Sequence, residues 1–117
     1  MKTMMIGLLA AASMTPAAAM AQSEATPLGI TREQLEDADL IDARGREIGE
    51  VEGLVVDTNG IIVGAILEID QRDPTPDRRV QLPIEELKAV PERGEPGHFD
   101  VQTQRSREQL LALPEAR

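Results

Sequence analysis

Cysteine, tryptophan and tyrosine are absent from this 117-residue chain, which has a single phenylalanine, Phe99, and a single histidine, His98. Without cysteine there can be no disulfide, no thiolate metal site and no thiol nucleophile. A domain of this kind must be held by its aliphatic core alone. One histidine excludes a multi-histidine zinc site. One aromatic residue leaves nucleic-acid bases almost nothing to stack on. Positive charge is also scarce: 12 Lys and Arg stand against 21 Asp and Glu, for a formal net charge of −9. Such a surface repels phosphate backbones and anionic headgroups, so nucleic acid is not an expected partner.

Long apolar runs are equally scarce. The first segment, MKTMMIGLLAAASMTPAAAMA, places Lys2 before a short apolar stretch from Met4 to Ala12, then Pro16 and the Ala-x-Ala site Ala19-Met20-Ala21. This order is that of a secretory signal peptide over residues 1–21, with cleavage after Ala21. A spanning helix needs roughly 20 apolar residues, and this run is shorter and broken by Pro16. The expected product is periplasmic or secreted, with no membrane span in its mature form. Cleavage leaves enough chain for one small domain, one unit more negative because Lys2 is lost.

What remains is organised around Ile48 to Ile69, IGEVEGLVVDTNGIIVGAILEI. Two β-branched runs separated by Asn59-Gly60 predict a β-hairpin, either with a two-residue type I′ loop or with a type I turn and a Gly60 bulge. The nearly continuous apolar run after Gly53 reads as a strand covered on both faces, as in a small closed barrel. Gly49, Gly53 and Gly64 then mark bulges or close backbone approaches.

Before the hairpin, residues 22–34 read as a flexible leader with a short helical turn, capped by Thr31 and Gln34. Residues 35–117 form the expected domain. Ala38 to Asp42 is a short strand, and Asp70 to Arg79, with two prolines, is an exposed loop. Val80 to Pro83 is a short strand that Pro83 confines to an edge or a strand end. Ile84 to Lys88 is a single helical turn, Glu92 to Gly97 a loop, and His98 to Val101 the last strand. Ser106 and Gln109 cap a final short helix carrying Leu110 and Leu111, stopped by Pro114. That helix is too short to stand alone in water and must pack on the strands.

Chemistry is hard to assemble from these residues. None of the hydroxyls sits in a Gly-x-Ser-x-Gly elbow, and no phosphate loop exists. Asp37, Asp39 and Asp42 cluster in sequence. Asp57-Thr58-Asn59-Gly60 has the look of half a calcium loop, but Val55 and Ile66 stand where acidic ligands would be needed. His98 beside Phe99 reads as structural or solvated. No catalytic residue, no cofactor-binding residue and no metal site is expected, and the chain does not read as an enzyme.

In order, the pieces Leu40-Ile41-Asp42-x-x-Gly45-x-x-Ile48-Gly49-x-Val51-x-x-Leu54-Val55-Val56-Asp57, the turn glycine Gly60, Val80-x-Leu82-Pro83 and the Thr103 to Pro114 tail resemble the PRC-barrel domain family. The resemblance covers roughly residues 36–115. It implies a mainly β fold, a small barrel of about five or six strands with short helical turns and a C-terminal helix, used as a docking module. It carries no shared catalytic set. The expected role is therefore a non-enzymatic, exported protein-interaction module that binds a protein of the cell envelope through a barrel face or a strand edge, with self-association also open. The alternative is a small-ligand or divalent-cation binding protein using the acidic surface.

Overall fold

Two Asp-x-x-Gly loops with the same hydrogen bonds set the register of the sheet. In the computed structural model, which describes residues 25–116, they join strands β1 (Asp39–Ile41), β2 (Glu47–Val56) and β3 (Ile62–Ile69). In the first loop the Asp42 amide donates to the Arg46 carbonyl and the Gly45 amide to the Asp42 carbonyl, each at 2.9 Å. Asp42 Oδ1 accepts from the amides of Arg44 and Arg46, both at 2.9 Å. The second loop repeats this pattern: Asp57 to Ile61 at 2.9 Å, Gly60 to Asp57 at 3.0 Å, and Asp57 Oδ1 accepting from Asn59 and Ile61. The turn thus spans Asp57–Gly60 with Gly60 as the bulge, which decides between the two loops the sequence allows. Asp57 closes this turn through its Oδ1.

Gly60 has φ +80°, a conformation in which a β-branched residue is strained. Gly60→Val should therefore destabilise by roughly 1–3 kcal/mol, whereas substitutions of the exposed Thr58 should be nearly neutral. Coincident denaturation midpoints for the two variants would contradict this turn.

Residues 25–116 form a six-stranded mixed sheet in the order β4-β3-β2-β1-β6-β5, where β4 is Arg78–Pro83, β5 is Leu87–Pro91 and β6 is Phe99–Thr103. Only the β1/β6 pair is parallel. The outermost strands, β4 and β5, are joined by the three residues of a 3₁₀ turn, Ile84–Glu86. Flat, six strands at ~4.8 Å spacing would hold these edges about 24 Å apart. A turn of this length spans only about 8 Å, so the sheet has to roll. Its concave side encloses Leu40, Leu67, Ile69, Val80, Leu82 and Val101, all buried. Helices α1 (Arg32–Glu36) and α2 (Arg107–Leu111) contribute the fully buried Leu35 and Leu110 to the same core. Both carry complete capping boxes, Thr31 with Gln34 and Ser106 with Gln109.

Several expectations change in detail. The apolar run of β2 and β3 is not covered on both faces: Val56, Ile61 and Val63 are exposed. Register shifts between Val51 and Gly53 and between Val55 and Val56 reset the alternation, so inward residues fall next to one another in sequence. Leu87–Pro91 is a strand, although Leu87 and Lys88 read as the end of a helical turn and Ala89 to Pro91 carried no assignment. Ala25 onward folds back as a turn, with Thr26 buried and its amide donating to the Ile30 carbonyl at 2.8 Å. The expected signal peptide and Gln22 to Glu24 of the leader lie outside the described residues. Among the described residues no helix is long and apolar enough to cross a membrane.

The strand Val80 to Pro83 does lie at an edge of the order. Part of that edge is already occupied, because the Ala116 amide donates to the Arg79 carbonyl at 2.8 Å. Arg78 Nη2 also donates to the Leu113 carbonyl at 2.7 Å. The C-terminal tail therefore runs along β4 and protects it from pairing with other chains.

Candidate functional site: an acidic sheet face ending at His98

Within each strand an acidic residue sits beside a buried apolar one: Asp39 by Leu40, Glu50 by Val51, Glu68 by Ile69, and Asp100 by Val101. Alternation sends the apolar member into the core and the acidic member outward. The register then aligns them. Asp100 pairs with Asp39, Asp39 with Glu50, Glu50 with Glu68, and only at β4 does the row reach a cation, Arg79. Four carboxylates therefore stand side by side across β6, β1, β2 and β3. Arg79 is further engaged by Glu52, 2.9 Å from its Nε. Glu47 and Asp70 add to the same field, as the forces on Glu47 show.

Like charges directly opposite one another in a sheet destabilise it. Glu68 is held above its ordinary 4.5 by burial, and further by Glu52, Asp77 and Glu50. Glu47 is raised by the charge of Asp39, then by burial, Asp70, Asp100 and Glu50. Asp100 is raised above 3.8 by burial and then by Asp39, with His98 opposing.

One end of the row is the β5–β6 loop. The Glu92 amide donates to the His98 carbonyl at 2.9 Å and the His98 amide to the Glu95 carbonyl at 3.0 Å, so the loop sets Glu92 and His98 across from each other. His98 immediately precedes β6, two residues before Asp100, and Asp39 lies in the neighbouring strand. One ligand-type atom each from Asp39, Glu92 and His98 falls within 4.8 Å of the others. His98 Nε2 stands 3.2 Å from Glu92 Oε1. That oxygen is sealed from solvent and accepts no hydrogen bond.

Asp37, Asp39 and Asp42, neighbours in sequence, go separate ways. Asp37 ends α1, Asp39 joins the row, and Asp42 is buried in its turn, its carboxyl lowered chiefly by the Arg46 amide. A second surface feature is an open groove of about 500 Å³ lined by Pro27, Leu28, Ile61, Val63, Ile84 and Leu87. A third, shallow and polar, lies between the Asp42 loop and the start of α2. Three of its four arginines are committed: Arg46 to Asp42 at 3.1 Å, Arg105 to Glu86 through 2.6 and 3.1 Å contacts, and Arg107 to the Asp70 carbonyl.

The row escapes sequence reading because its members are spread from residue 39 to residue 100, and only the bulges and turns fix which of them meet. No protein-family model matches the chain, and no curated protein matches it.

Proposed function

We propose that this chain is a non-enzymatic, exported docking domain of PRC-barrel type, whose acidic sheet face receives a basic segment of another cell-envelope protein. One observation carries the proposal: the in-register row Asp100, Asp39, Glu50 and Glu68. Each like-charged neighbour costs the isolated domain roughly 0.2–1 kcal/mol, a liability that neutral side chains at the same outward positions would remove. A Lys- or Arg-rich partner converts that repulsion into attraction and speeds encounter. What supports the PRC-barrel part of this reading is the mainly β fold, six strands with two short helices. Between the acidic face and the apolar groove, only the face specifies the chemistry of its occupant.

Glu50→Gln with Glu68→Gln should raise stability by about 1 kcal/mol, or ~4–8 °C in a domain of this size. The pH dependence has a definite sign. Groups whose native pKa is raised contribute stability that is complete below their ordinary values, 3.8 for Asp100 and 4.5 for Glu47 and Glu68, and is lost as pH rises through the raised native values. The wild type should therefore melt higher in mildly acidic buffer than at pH 7, and the double variant should show less of this gain. Binding of a decalysine probe at low salt should weaken in the same variant, compared with Glu85→Gln/Glu108→Gln of equal net charge. Equal loss in both variants would mean that overall charge, rather than this row, attracts the probe.

A further inference from the structure

We propose that Asp39, Glu92 and His98 form a binding site for a divalent transition-metal cation, zinc above all. This site shares Asp39 with the acidic row and extends from it toward the β5–β6 loop, away from Glu50 and Glu68. The residues come from three places in the fold: the first position of β1, the residue after β5 and the residue before β6. They converge because β1 lies next to β6 in parallel register and the Glu92–His98 backbone bond closes the loop.

Three observations point to a cation. The first is the donor set, one imidazole nitrogen and two carboxylates, which suits zinc and its neighbours; magnesium and calcium prefer oxygen alone. The second is spacing. Two ligands at ~2.0–2.1 Å from a tetrahedral metal stand about 3.3 Å apart, and His98 Nε2 and Glu92 Oε1 are 3.2 Å apart. A rotation of the Asp39 side chain closes the remaining gap, since its oxygen is already within 4.8 Å of both. The third is the Glu92 Oε1 atom itself, buried with no hydrogen bond donated to it. A buried carboxylate oxygen faced only by the His98 ring, outside hydrogen-bond geometry, is poorly satisfied, and a metal ion between the two would satisfy both.

The surroundings favour a cation further. Asp100 on β6, Glu95 in the loop, and Glu47 and Glu50 on β2 supply negative charge around the three ligands. His98 ligates a metal as the neutral imidazole. Both ring and carboxylate are about one-third exposed, 34% for His98 and 32% for Glu92, which leaves room for water or a partner's side chain in the open position.

The chain's single histidine allows a direct test on the unaltered protein, purified without a histidine tag. Its imidazole gives one set of proton resonances, and zinc chloride added at pH 7.5 should shift or broaden that set at stoichiometric concentration. Calcium chloride at tenfold excess should leave it in place. Zinc should also raise the melting temperature, by mass action on the native state. This gain should vanish in His98→Asn and in Glu92→Gln and survive in Glu85→Gln. Resonances unmoved by zinc would overturn the site. So would a melting gain that persists in His98→Asn, or equal responses to zinc and calcium, which would indicate general screening of the acidic face. Should His98→Asn fail to fold, the resonance shift in the unaltered protein still decides.

Discussion

Gly49→Ala should lower stability by ~3 kcal/mol or more, the top of the range for overpacking a core. A β-carbon built on Gly49 lies 2.0 Å from the carbonyl oxygen of Glu68, a backbone atom of the adjacent strand that cannot swing aside. Relief requires β2 and β3 to separate where Gly49 pairs with Ile69. Native domains hold only about 5–15 kcal/mol in total, so the variant should lose a large share of its denaturation midpoint. Gly53→Ala is the control. Its β-carbon meets nothing nearer than Ile66 Cβ at 3.9 Å, and its midpoint should stay close to wild type. Equal midpoints for the two variants would show that β2 and β3 are paired in another register, and the acidic row would fall with that register.

The second large effect is expected at the other end of the chain. Leu110→Ala should cost about 2–5 kcal/mol, the usual range for emptying a fully enclosed leucine site. Helix α2 is five residues long, too short to persist without tertiary contacts. Leu110 is its one buried side chain. Its loss should also free the tail whose Leu113 carbonyl and Ala116 amide lie on β4. Hydrogen exchange at the Ala116 amide should therefore accelerate more than at the β1 and β6 amides. Leu111→Ala, at a half-buried position, should do much less. If Leu110→Ala left both midpoint and exchange unchanged, the helix would not be holding the sheet edge.

Local signals of the fold were legible in the chain where residue chemistry decides geometry. Asn59-Gly60 marked the hairpin, Pro83 a strand end, and Thr31 and Ser106 with their glutamines the helix starts. Gly49, Gly53 and Gly64 were marked as bulges or close approaches: Gly53 lies at a register shift, and β-carbons added at Gly49 and Gly64 would meet the backbone carbonyls of Glu68 and Leu82. Strand β5 was not legible. Lys88 is exposed and Ala89 and Val90 are half-buried at a sheet edge, so Leu87–Pro91 has neither strict alternation nor a long apolar run. Two-sided burial of the central hairpin was misread because bulges shift the phase of the pattern without leaving a mark in composition.

The candidate surfaces were less legible than the fold, since they depend on pairing between distant segments. Asp39 and Asp100 are 61 positions apart and become neighbours only through the parallel β1/β6 pair. Nothing near His98 in sequence announces Asp39. The overall acidity was plain, but its concentration into a single row follows from two turns and three register shifts acting together.

Docking on the acidic face is tested most directly by site-specific photocrosslinking in the native host. The photoreactive residue is placed at Glu50, at the middle of the row, or at Glu85, exposed on the turn between β4 and β5. From position 50 a discrete adduct should form with a second, different protein. Its crosslinked peptide should be rich in Lys or Arg, its yield should fall as salt is raised, and it should be absent from position 85. Adducts of equal yield from both positions, or an adduct from position 50 only with a second copy of this chain, would contradict the proposed docking face.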